Sequence, residues 1–184
     1  MKHLILTLLL ATPAVAQSPL PFNVGGPFEL TAQTGEPRSQ INPEGHPQLL
    51  FFGYANCPGI CTAALPLMAD VVDNLTDQGI EISPLMITVD PERDTVENIG
   101  PGLANYHPDI VGLTGTHAEL DVAYKAYSVE HKLAYDDPEY GPVYTHGSII
   151  YLLDAKGEVL TLIPPVVDAQ KATEIALKYV GPKG

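Results

Sequence analysis

The chain has 184 residues, 45% of them hydrophobic, enough for one domain with a real core and too many for disorder to be its main state. Nine basic residues stand against 22 acidic ones, and a formal charge of −13 weighs against nucleic acid or anionic lipid as a partner. With two cysteines, disulfides cannot be the main support of a fold this size.

The chain opens "MKHLILTLLLATPAVAQS": a charged Lys2, an apolar run from Leu4 to Ala11, and the A-x-A pattern Ala14-Val15-Ala16. This predicts a secretory signal peptide over residues 1–16. The apolar run falls short of the ~20 residues that span a bilayer, which disfavours the alternative of an uncleaved anchor. No later segment is long and apolar enough to span either. The mature chain is therefore expected to be soluble and exported to the bacterial periplasm, where cysteines can be oxidised. Residues 17–26 read as a flexible N-terminal tail, and 27–184 as the folded domain.

In chain order, "FELTAQTGEP" predicts a short strand and a turn at Gly35-Glu36. "QLLFFGY", Gln48 to Tyr54, is nearly all apolar and suits a central strand buried on both faces. After Cys57 the period changes: Ala64, Leu65, Met68, Val71, Val72 and Leu75 recur at helical spacing to about Thr76. Pro58 suits the first turn of that helix, and Pro66 predicts a kink. "EISPLMITV" and "IVGLTG" read as the second and third strands, and "THAELDVAYKAY" as a helix with a capping box from Thr116 to Glu119. "SIIYLLD" and "EVLTLI" flank "AKG" as a hairpin, and Asp168 caps a last helix over about 169–180. The order β–α–β–α–β–α–β–β–α predicts an α/β sandwich with a mixed central sheet flanked by helices and closed by a hairpin and helix.

The chemistry gathers around "FFGYANCPGICTAALPLM", which holds Cys57 and Cys61. Cys57 follows the central strand and precedes a helix, whose free N–H groups and positive potential favour a thiolate. Asp90, in "TVDPERDT", follows the next strand at its carboxyl end, the edge where open α/β sheets bind ligands. His146, in "VYTHGSIIYLL", reaches the same edge if the strand after it runs antiparallel to the first two. Cysteines at i and i+4 of one helix face stand about 6 Å apart, which permits a disulfide, a redox pair or two ligands of a soft metal. Two thiolates and an imidazole form an S₂N set. Structural zinc prefers four protein ligands and an iron–sulfur cluster needs more cysteines, which leaves copper as the best match. His46, His107, His117 and His131 read as solvated or capping, Met68 and Met86 as core, and Tyr144 as packing. Asp90 and Asp94 read equally well as caps of a turn and of the next helix.

Taken in order, "FFGYANCPGIC", "TVDPERDT", "GLTGT", "AYKAYSV" and "YTHGSIIYLLDAKGEVL" resemble the motifs of the Sco/SenC family, across roughly residues 26–165. The resemblance implies a thioredoxin-like fold and copper, as Cu(I) or Cu(II), held by Cys57, Cys61 and His146. It also implies a metallochaperone role in assembling the Cu-A centre of cytochrome c oxidase, with Asp90 and Asp94 behind the ligands. The expected partner is the oxidase subunit carrying that site, or another periplasmic copper protein; the chain is expected to be a monomer. Against the family pattern, Gly59 stands where an acid is usual and Thr62 where a proline is usual. Gly100-Pro101-Gly102 interrupts the helix expected after Asp94, and most relatives are membrane-anchored. The competing reading is a thiol–disulfide oxidoreductase using Cys57 and Cys61 as a redox-active pair, although thioredoxins use C-x-x-C. A redox or copper sensor is a third.

Overall fold

The computed structural model describes residues 20, 23–59 and 61–182, so the expected signal peptide lies outside the described residues. A seven-stranded mixed sheet has the order β2-β1-β5-β4-β3-β8-β9. Its strands are β1 (Glu29–Ala32), β2 (Pro37–Ser39), β3 (Gln48–Gly53), β4 (Ser83–Thr88), β5 (Val111–Thr114), β8 (Ile150–Leu153) and β9 (Val159–Ile163). A separate two-stranded sheet pairs β6 (Lys132–Asp137) with β7 (Gly141–Thr145). The helices are α1 (Cys61–Thr76), α2 (Val96–Leu103), α3 (His117–Ala126) and α4 (Ala169–Val180).

All six residues of β3 are buried, as its unbroken apolar run requires of a central strand. It runs parallel to β4, and β4 to β5, through crossovers that carry α1 and α2. On its other side β3 pairs antiparallel with β8, Leu50 opposite Tyr151 and Gln48 opposite Leu153. The start of β8 therefore lies at the carboxyl end of β3, as the sequence reading assumed for His146.

Alternate side chains of β3 serve the two helical layers. Phe52 meets Tyr124 of α3 edge-on at 6.1 Å and the adjoining Tyr127 at 5.4 Å. Phe51 and Gly53 face α1: a Cβ on Gly53 would stand 3.0 Å from the Cys61 sulfur. Phe51 is in register with Met86 and Met86 with Gly112, where a Cβ would run into Ile99 and Leu103 of α2. So α1 and α2 share one face and α3 covers the other, while α4 packs on α1. Both expected caps are present. Thr116 accepts from Glu119 N–H while the Glu119 carboxylate returns the bond, and Asp168 accepts from Lys171 N–H.

The structure differs from the sequence reading in three places. α1 starts at Cys61, so Pro58 lies in the loop before it. Pro66 lies inside α1, where its side chain is exposed. α2 likewise passes through Gly100-Pro101-Gly102 instead of being interrupted. Gly102 has a use there, because a Cβ would lie 2.7 Å from Ala55 Cβ and hold the helix off the cysteine loop. The β6–β7 hairpin was not foreseen: β6 is exposed along nearly its whole length, and strand patterning is read from burial.

Candidate metal centre

Cys57 stands in the loop that leaves β3, and Cys61 is the first residue of α1. The two do not share a helix face, because the Pro58-Gly59 bend separates them. They converge because the loop folds back over the helix start, where the backbone N–H groups of Gly59 and Cys61 point at the Cys57 sulfur. Gly53 makes room for the Cys61 sulfur by lacking a side chain. Both thiols are free and buried.

His146 joins β7 to β8. Its Nε2 lies 3.5 Å from the Cys61 sulfur and 3.9 Å from that of Cys57, and the three donor atoms fall within 4.8 Å of one another. Its Nδ1 is 2.9 Å from the Gly147 carbonyl oxygen. A carbonyl only accepts, so Nδ1 carries the proton and Nε2 can turn a lone pair to the sulfurs. Phe51 and Tyr54 wall the imidazole, each edge-on with centroids 5.8 Å away. Among the described residues this is the one group of three or more Cys, His, Asp or Glu side chains gathered closely enough to hold a metal ion.

The surroundings of the two thiols favour a thiolate on Cys57. The Cys61 S–H donated to it is the main cause that holds its pKa well below the thiol range, at about 4; the N–H groups of Cys61 and Gly59 add to this against burial. Cys61 is pushed up, first by keeping the proton it gives to Cys57 and then by burial. The Tyr54 hydroxyl is pushed up chiefly by burial and further by the thiolate beside it.

Asp90 and Asp94 supply no donor atom to the cluster; both are buried and hold its surroundings. Asp94 Oδ2 accepts from Ala55 N–H at 2.9 Å, tying down the cysteine loop, and from the Thr88 hydroxyl at 2.7 Å. Burial raises its pKa, and those two bonds oppose the rise. Asp94 does not cap α2, whose N-cap is Thr95. Asp90 pairs with Arg93. Gly59, where relatives carry an acid, has open space: a Cβ there would lie 3.8 Å from the Cys57 sulfur, an ordinary contact.

Among the described residues no other histidine joins the cluster. His107 bonds Asp73 and accepts from Asp109 N–H, His117 pairs with exposed Glu92, and His46 neighbours Glu44. His131 is exposed, as its reading as solvated expects, and its ring lies tilted against that of Tyr124 at 4.5 Å. Met68 and Met86 are fully buried, as expected of core residues. Tyr144 packs edge-on against Tyr54 at 5.8 Å. The sequence reading missed Phe51, Tyr54 and Arg93. The first two looked like ordinary core of an apolar strand; Arg93 lay inside a quoted motif without a chemical role of its own.

The fold and the site define a thioredoxin-like α/β protein with a Cys–Cys–His cluster at the carboxyl edge of its sheet. The chain belongs to the SCO1/SenC family, whose sequence model matches residues 16–181. It is 37% identical over 139 residues to the human mitochondrial SCO1 homolog, covering 74% of this chain and 46% of that one. It is 33% identical over 153 residues to a SCO2-like protein of Rickettsia prowazekii, covering 83% of this chain and 75% of that one. The chain thus spans about half the length of the human relative. Among solved structures it is similar to copper-bound yeast Sco1, with TM-score 0.78 and 29% identity over 88% of this chain and 91% of that one. Copper-bound ScoI of Arabidopsis thaliana gives 0.77 and 28%, over 84% and 96%.

Proposed function

We propose that the protein is an exported copper-binding metallochaperone that delivers the ion for assembly of the Cu-A centre of cytochrome c oxidase. The observation that carries the reading is the convergence of two sulfurs and an imidazole Nε2 within 4.8 Å, with the other ring nitrogen fixed as a donor. Two soft sulfurs and a borderline nitrogen suit copper, and family membership supports the same ion. Cys57, Cys61 and His146 are the ligands; Asp94 holds the cysteine loop, and Asp90 with Arg93 anchors the strand before His146. No helix among the described residues is long and apolar enough to cross a membrane. The partner is the oxidase subunit that carries the Cu-A site. Anaerobic copper titration followed by native mass spectrometry is expected to give one copper per reduced chain and none once Cys57 and Cys61 are joined as a disulfide. A reduced chain that takes no copper would remove the reading.

One observation favours a second role. The Cys57 thiolate, with the protonated Cys61 beside it, is the arrangement of an attacking and a resolving thiol. Cys57 would attack a target disulfide, and Cys61 would then displace the second target thiol, leaving Cys57–Cys61 oxidised and the target reduced. Disulfide reduction that survives both His146→Ala and copper chelation would favour this role over copper delivery.

A further inference from the structure

The β6–β7 hairpin delivers His146 to the thiols, yet it hydrogen-bonds to no strand of the main sheet. Its β6 strand is exposed, and burial is confined to β7, where Val143 is buried and Tyr144 packs edge-on against Tyr54. Beyond that packing and the Phe51 and Tyr54 rings that wall the imidazole, three polar or ring contacts tether the hairpin. His131, just before β6, lies against the Tyr124 ring. The N–H of Tyr144 reaches the Tyr54 hydroxyl at a long 3.3 Å. The third tether is Arg93. Its Nη1 donates to the Tyr140 carbonyl and its Nη2 to the Pro142 carbonyl at 2.7 Å. Its Nε donates to the buried Asp90 carboxylate, and the guanidinium lies 5.6 Å over the Tyr54 ring.

Gly141 sits between the two carbonyls. Its φ is +73°, and a Cβ there would come within 2.9 Å of Arg93 Nη1, so a glycine is what lets the backbone close over the guanidinium. Asp94, the residue after Arg93, accepts from Ala55 N–H in the cysteine loop. Asp94 N–H in turn bonds the Asp90 carbonyl at 2.9 Å. One turn, Asp90 to Asp94, therefore grips both halves of the site: Asp94 the thiol loop, Arg93 the strand four residues before the histidine.

We propose that Arg93 is a positioning residue for His146, forking onto the Tyr140 and Pro142 carbonyls to hold the imidazole in register with Cys57 and Cys61. The proposal rests on the reading of these three residues as metal ligands. A planar guanidinium spreads five donors in a rigid fork that spans two carbonyls and a carboxylate, whereas an ammonium gathers its three donors on one atom and has no fork. Arg93→Lys therefore keeps a cation beside Asp90 and loses the fork.

The test compares wild type, Arg93→Lys, His146→Ala and the double variant. Each is measured for Cu(I) affinity by competition with a chromophoric chelator, and each apo form by NMR of the histidine rings and of backbone 140–147. Arg93→Lys is expected to lose 10- to 100-fold in affinity, as supports behind metal ligands do. It is also expected to broaden or shift the His146 ring signals, with the Cys57 and Cys61 backbone unmoved. The double variant should bind like His146→Ala alone, because Arg93 acts only through the imidazole. Gly141→Ala, which crowds the guanidinium, is expected to reproduce the loss if Arg93→Lys does not fold. Wild-type affinity and ring signals in Arg93→Lys, or losses that multiply in the double variant, would overturn the proposal. A wild-type protein without copper affinity would sink the metal reading, while the apo spectra would still judge the clamp.

Discussion

Cys57 and Cys61 differ in protonation although they are close neighbours in sequence and space. Backbone N–H groups of Gly59 and Cys61 and the Cys61 S–H are directed at Cys57, which lowers its pKa and raises that of Cys61, favouring one thiolate and one thiol at neutral pH. Copper binding requires both as thiolates and His146 neutral. Loading Cu(I) at pH 7 is thus expected to release about one proton per ion, measurable by calorimetry in buffers of different ionisation enthalpy. Release of two would place the apo charge elsewhere. Asp94 gives a second consequence. Its pKa is raised in the folded chain, so between the unfolded value and the folded one the native state binds more protons, and stability falls as pH rises through that window. Asp94→Asn removes the buried charge while an amide oxygen can still accept from Ala55 and Thr88. Thermal melts are expected to show the variant gaining on wild type at pH 7 and losing that advantage near pH 3. A constant difference across pH would contradict this. At this scale the sequence disclosed the ligands, because thiols and an imidazole are rare and chemically marked. It hid Tyr54 and Arg93, whose roles depend on the hairpin that packs beside them.

The elements that carry burial were legible. The run from Gln48 gave β3, the helical period after Cys57 gave α1, and Thr116 with Glu119 marked the start of α3. The reading failed where local rules yield to tertiary contact. Proline and glycine in α2 read as an interruption, yet Gly102 is the point where that helix touches the cysteine loop, 2.7 Å from Ala55 Cβ for any side chain. Gly102→Ala is expected to destabilise the fold by about 1–3 kcal/mol through overpacking, seen as a lower urea midpoint with an unchanged slope. A neutral result would mean α2 is free to move away from the loop. The exposed β6 strand gave no pattern to read, although its hairpin is what brings the third ligand to the site.

On the scale of the molecule, the mixed sheet explains how residues 89 positions apart meet. Parallel β3 brings the thiols to its carboxyl end and antiparallel β8 begins beside it. That much followed from one topological assumption in the sequence. Because the site belongs to the folded state, Cu(I) should raise the melting temperature of the reduced protein, by the equivalent of about 2.7 kcal/mol at a free concentration 100 times Kd. It should leave the disulfide form unchanged, and an equal rise in both would point to adventitious binding. The central claim, that Cys57, Cys61 and His146 together hold copper, is tested most directly by X-ray absorption at the copper edge of the Cu(I)-loaded reduced protein. Two sulfurs and one imidazole nitrogen in wild type, with the nitrogen lost in His146→Ala, are the result predicted. An identical spectrum in both proteins would contradict it.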